Sequence, residues 1–151
     1  MNLSHAFYRY LLNPAMRGIL RSPLHRIASA NIGILHFTGR KSGRALSTPL
    51  SYVRDGTHVL FLSSTNTAWW KNFRDGPAPV QVDVAGERLL GIAQLLEGDS
   101  EALRNSVRRF LVALPRDAVV YGIKLDRNKQ PIESSLAKAA PRLVLVDVAL
   151  D

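Results

Sequence analysis

Apolar and polar positions recur with two different periods along this chain, and the change falls near residue 31. Before it, Leu3, Phe7, Tyr10 and Leu11 share one helical face until Asn13-Pro14 interrupts them. A second helical stretch starts at about Pro14, which suits a first helical turn, and carries Met16, Ile19 and Leu20 beside Arg17 and Arg21. Ser22-Pro23 breaks it, and Leu24, Ile27 and Ala28 suggest one more short turn or two of helix. Residues 1–30 therefore read as a helical arm.

From Asn31 the pattern becomes short runs of strand length separated by turn signals. Asn31–Thr38, Ser47–Arg54 and His58–Ser63 are predicted strands, and Asp55-Gly56 supplies the hairpin turn between the last two. Val80, Val82 and Val84 alternate with Gln81 and Asp83, and Gly86 turns the chain into a neighbouring antiparallel strand over Glu87–Leu96. Thr67–Phe73 suits a short helix ended by Asp75-Gly76-Pro77. Asp99 or Ser100 caps the longest later helix, whose stripe of Leu103, Val107, Phe110, Leu111 and Leu114 lies opposite Arg104 and Arg108. Pro115 stops that helix, a polar passage reaches Ala137, and Arg142–Ala149 forms the last strand. With no internal repeat and no low-complexity linker, the pattern predicts one domain over residues 1–151. Its class is mainly β (α+β), a six-stranded antiparallel barrel over 31–151 with helices packed outside.

Composition narrows the chemistry. A chain of 151 residues with 46% apolar and 21% charged residues describes one ordinary globular domain. The absence of cysteine removes disulfides, thiolate catalysis and most structural zinc sites, and the 4 histidines are scattered, so no metal site is expected. No run approaches the roughly 20 apolar residues needed to cross a bilayer, and the start lacks the uninterrupted apolar stretch of a secretion signal. The expected location is the cytoplasm.

Charge is distributed unevenly. Of the 20 lysines and arginines, eight lie before Asp55, the first acid in the chain, and the other twelve are matched by the 12 acids that follow. The whole excess of +8 thus belongs to the first third and favours an anionic partner. The helical arm could lie on an anionic membrane, which would make the protein peripheral at the inner face, or pack on its own domain. Nucleic acid is disfavoured, because the basic residues lack the interleaved aromatics of single-strand binders and no recognition motif is present.

Within that basic third, the stretch Thr38-Gly39-Arg40-Lys41-Ser42-Gly43 follows a predicted strand. Its two glycines permit positive φ, so successive amides can converge on an anion while Arg40, Lys41 and Arg44 supply charge. The same features also describe an ordinary basic turn. No GxxxxGK[ST] is present, and the segment that follows is strand-like, which excludes the GxGxxG dinucleotide motif.

This turn, followed by Ser47-Thr48-Pro49-Leu50-Ser51-Tyr52, Arg54-Asp55-Gly56 and Trp69-Trp70-Lys71-Asn72-Phe73, resembles the deazaflavin-dependent nitroreductase family, split-β-barrel oxidoreductases that use coenzyme F420. The resemblance runs from about Ile32 to Val84. It implies a flavin-binding-like split barrel, an FMN-type cofactor being the alternative, with hydride passed to a small hydrophobic quinone or nitro-type acceptor. A non-enzymatic flavin-, lipid- or membrane-associated protein of the same fold is the other reading. By position it assigns the coenzyme's phosphate and acidic tail to Arg40, Lys41 and Ser42. It assigns the rest of the site to Thr48, Pro49, Leu50, Ser63, Ser64, Trp69, Trp70 and Asn72. Relatives often dimerise, which leaves a homodimer open. Leu46 stands where the family typically carries an arginine, a contact for which Arg44 could compensate, and the loop Ser64–Thr67 is shorter than usual. Tyr52 and Tyr121 are the candidate catalytic hydroxyls, each with a core role as its alternative. A hydride-transferring coenzyme requires neither a catalytic triad nor a carboxylate pair, and none is apparent in the sequence.

Overall fold

The computed structural model describes residues 31–151, and the expected helical arm lies outside the described residues. The six strands are β1 (Ile32–Thr38), β2 (Ala45–Asp55), β3 (His58–Ser64), β4 (Ala78–Val84), β5 (Glu87–Glu97) and β6 (Leu143–Leu150). They close into an antiparallel barrel in the order β1-β2-β3-β6-β5-β4, which is the architecture expected from the alternation. β2 begins two residues earlier than its polarity predicts, because Phe37↔Leu46 and Thr38↔Ala45 continue the β1 ladder. The β4–β5 hairpin turns through Ala85 and Gly86, both at positive φ (48° and 81°), as a two-residue type I′ connection requires.

Two cores follow from the pleat. Inward-facing Leu35, Phe37, Tyr52, Phe61, Val82 and Val146 fill the barrel together with aromatics of a 3₁₀ helix, Trp69–Phe73, that precedes β4. The opposite faces of β3 and β6, with Leu60, Leu62 and Leu145, pack under α1 (Glu101–Ala113). All five apolar residues of the predicted α1 stripe are buried. Ser100, not Asp99, is its cap, accepting from the Leu103 amide at 3.1 Å. Asp99 forms a two-pronged pair with Arg104 instead, at 2.6 and 2.7 Å.

The passage after Pro115, expected to be irregular as far as Ala137, contains α2 (Asp117–Val120), α3 (Glu133–Ala139) and a 3₁₀ turn at Ala140–Arg142. These elements are too short to display a helical period in sequence. What holds them is tertiary burial of Ala118, Leu136, Ala139 and Ala140 against the second core. The Tyr121 hydroxyl, at the end of α2, donates to the Leu62 carbonyl at 3.0 Å.

Close approach at two glycines shapes the barrel. A Cβ on Gly91 would lie 2.6 Å from the Ala149 carbonyl oxygen and 2.7 Å from a Val148 methyl, and one on Gly33 would lie 2.7 Å from a Val84 methyl. Gly91→Ala is therefore expected to destabilise the fold by about 1–3 kcal/mol through overpacking, read as a lower midpoint in denaturant unfolding. Burial, with a smaller contribution from Asp117, pushes the Tyr121 phenol up to about 12 from its ordinary 10.0. The folded state thus holds this proton more tightly than the unfolded chain. Its contribution to stability is full below pH 10 and falls as pH rises toward about 12. Tyr121→Phe should lose that part of the alkaline decline, and identical alkaline slopes in both proteins would refute the assignment.

Candidate functional site

The basic turn is a built structure. The Gly39 amide donates to the Arg44 carbonyl and the Gly43 amide to the Gly39 carbonyl, each at 2.8 Å, with Gly43 at φ 67°. A Cβ on Gly39 would lie 2.6 Å from the Ser42 hydroxyl, so this position admits no side chain without a shift. The Arg44 amide donates to the Ser42 hydroxyl at 3.2 Å, and the Arg40 amide donates to Asn72 Oδ1 at 3.0 Å. Asn72 in turn donates through Nδ2 to the Trp69 carbonyl at 2.9 Å. The turn is thereby fastened to the 3₁₀ helix, and the Phe37 and Phe73 rings pack beneath the joint at 5.4 Å.

Of the turn's amides, those of Lys41 and Ser42 are left without a hydrogen-bond partner among the described residues. Lys41, Ser42 and Arg44 are exposed. Arg40 is 3.5 Å from Asp75, an acid that is itself 78% exposed. The arrangement presents two amides, a hydroxyl and three cations at one corner, which is a chemistry suited to an anion.

Both tryptophans are buried, Trp69 at 1% and Trp70 at 2% exposure. Trp69 Nε1 donates to the Ser63 hydroxyl at 3.3 Å, and Ser63 is bonded to Thr67 at 2.9 Å. Trp70 Nε1 is buried with no partner among the described residues. Arg74 and Lys71 lie over its ring at 4.8 and 5.7 Å. A buried indole N–H that donates to nothing costs free energy.

The remaining predicted residues divide among three places. Thr48, Leu50 and Tyr52 face the barrel interior, Thr48 at 1% exposure, while Pro49 takes the opposite face because successive strand residues alternate. Burial pushes the Tyr52 phenol up, against a smaller opposing effect of Arg54. Ser64 and Tyr121 line a cleft of about 390 Å³ with Asn66 and Arg142. The Ser64 hydroxyl bonds to Asn66 there. Tyr52 and Tyr121 therefore belong to different cores, and the Tyr121 proton is already committed to the Leu62 carbonyl. Leu46 is buried opposite Phe37 in the barrel interior.

Sequence reasoning missed one polar cluster. His36 Nδ1 lies 2.7 Å from the Ser47 hydroxyl and Nε2 lies 2.7 Å from Asp83 Oδ2, so a Ser–His–Asp line does form, on the outer face of β1, β2 and β4. Arg88 closes on Asp83 with two bonds. Burial would raise the Asp83 carboxyl, but hydrogen bonds from Arg88 and His36 outweigh it and hold the group below its usual range. Hairpin register could have paired His36 with Ser47, whereas Asp83 arrives only through barrel closure.

Among solved structures, the chain is similar to an F420-H2 dependent reductase, FDR-A, at 20% identity and TM-score 0.53 over 78% of this chain and 93% of that one. It is also similar to a domain-swapped dimer at 19% identity and TM-score 0.54, covering 88% and 98% of the two chains. An FAD and heme binding protein from Mycobacterium smegmatis matches at 14% identity and TM-score 0.54, over 86% and 67%. Likeness at these identities shows the split-barrel fold. Among curated proteins none matches. The family model of the F420H(2)-dependent quinone reductases matches residues 20–132, a span that holds the basic turn, the tryptophan helix and most of the barrel. By that match the chain belongs to the F420H(2)-dependent quinone reductase family, oxidoreductases whose coenzyme is F420.

Proposed function

We propose that this protein passes hydride from reduced coenzyme F420 to a quinone or nitro-type acceptor, with the coenzyme's anionic tail seated on Arg40, Lys41 and Ser42. The observation that carries this reading is the fastening of the basic turn by Asn72, which leaves the Lys41 and Ser42 amides unbonded among the described residues beside exposed cations. A phosphate there would gain charge-assisted hydrogen bonds on a surface already organised to give them. Arg44, exposed beside buried Leu46, takes the role of the arginine that Leu46 displaces.

The rest of the site fits a flat, largely apolar headgroup. Trp69 and Trp70 supply aromatic bulk at this end of the barrel, and Trp69 is held in place by Ser63 and Thr67. The reduced coenzyme, when bound, supplies hydride from its own carbon. The chain's residues bind, orient and exclude water. We assign the acceptor to the cleft at Ser64, Asn66 and Tyr121, which is joined to the tryptophans through the bond from the Thr67 hydroxyl to the Ser64 carbonyl at 2.8 Å. In that cleft Tyr121 is a neutral phenol whose proton is engaged, so its role is to shape and orient.

Titration with oxidised coenzyme, followed by its fluorescence, tests the reading. Saturable binding is expected, and its absence at concentrations on the order of tens of micromolar would refute the proposal. Lys41→Ala should weaken binding by about 1–3 kcal/mol with little change in unfolding. Asn72→Ala should weaken binding and also lower stability by about 1 kcal/mol, because it releases the turn. Unaltered affinity in both variants would move the anion site elsewhere. Anaerobic turnover of the reduced coenzyme with a naphthoquinone and with a nitroaromatic separates the two acceptor classes.

A further inference from the structure

Val119 and Val120, on α2, are the most exposed large apolar residues among the described residues, at 83% and 74%. They project beside two clefts that share Gly122, Ala139 and Arg142. The second cleft, of about 510 Å³, is bordered by Lys124, Lys138 and Ile132, the last 38% exposed. Lys124, Lys138 and Arg142 form no ion pair among the described residues.

The acids of the same region are occupied. Asp117 is buried, its side chain 12% exposed and 3.8 Å from Arg116. Asp126 accepts from the amides of Asn128 and Gln130 in its own loop. Glu133 is taken by Arg108 at 2.6 and 2.7 Å. An apolar wedge is thus surrounded by a field that is positive on balance.

We infer that this face, with Val119 and Val120 as the wedge and Lys124, Lys138 and Arg142 as the surrounding charge, docks on an anionic lipid surface. Two adjacent exposed valines gain by entering the boundary between headgroups and acyl chains. Lys124, Lys138 and Arg142 supply the attraction that selects anionic lipid over neutral lipid. Charge complementarity decides between occupants, since a second copy would bring the same cations against these. The docking stands independently of the oxidoreductase reading.

Full-length protein should co-sediment with vesicles containing phosphatidylglycerol and remain in the supernatant with pure phosphatidylcholine vesicles, the binding weakening as salt rises. Val119→Asp should lower the partition coefficient on the order of tenfold. Lys124→Gln and Lys138→Gln should each lower it about fivefold, the equivalent of about 1 kcal/mol per basic residue. All three residues lie on the surface, and matching unfolding midpoints confirm that the variants fold. Partitioning of Val119→Asp equal to that of the parent would overturn the proposal. So would a fall in molecular mass of that variant with vesicle binding unchanged, which would assign the wedge to a second copy. Coenzyme titration of the same variants keeps the two readings apart. Lost vesicle binding with retained coenzyme affinity supports this surface, while failure of the parent to bind coenzyme would overturn only the oxidoreductase reading.

Discussion

Closure of β4 on β1 is the constraint from which the site follows. Only three residue pairs make that seam, Ile34↔Asp83, Leu35↔Val82 and His36↔Gln81. Because the two strands are antiparallel, the C-terminal end of β1 meets the N-terminal end of β4. The basic turn leaves the first end and the tryptophan helix leads into the second. Closing the barrel therefore sets Arg40 beside Asn72 across 32 residues of sequence, close enough for a 3.0 Å hydrogen bond. The Ser47–His36–Asp83–Arg88 line crosses the same strands on the outside, and its bonds reinforce a ladder that is short in backbone pairs.

The seam also separates polar groups that hold the structure from those without a partner among the described residues. Ser63, Thr67 and the Asn72 amide are consumed in holding Trp69 and the turn. Buried polar atoms that find such partners contribute to order, and those that do not remain a cost until a ligand arrives. Trp70 Nε1 is in the second class among the described residues, whereas the amides of Lys41 and Ser42 lie on exposed residues, open to water. This end of the barrel brings the cations of the basic turn next to the aromatic residues of the 3₁₀ helix.

How much was legible depends on the range over which each signal acts. Strand alternation such as Val80, Val82 and Val84 is local and survives into the barrel unchanged. The α1 stripe is equally local, and all five of its residues are buried. By contrast, α2 and α3 owe their helicity to Ala118, Leu136 and Ala139 reaching the second core, and no period reveals that in four or seven residues. Pro49 and Leu50 are neighbours in a motif yet face opposite sides of β2. Tyr52 and Tyr121 share a residue type and occupy different cores.

By itself, then, the sequence determined the strand and helix periods, the acid-free first third and the glycine-bracketed cations, because each depends on residues within a few positions of one another. Which polar groups are spent and which are left over was decided only by the tertiary structure. Asn72 becomes a clasp, Ser63 a tryptophan partner and Asp83 the end of a histidine line only when β4 closes on β1 and the 3₁₀ helix packs into the barrel mouth. The physical reason is that a hydrogen bond acts over about 3 Å, and only closure brings these distant residues within that range.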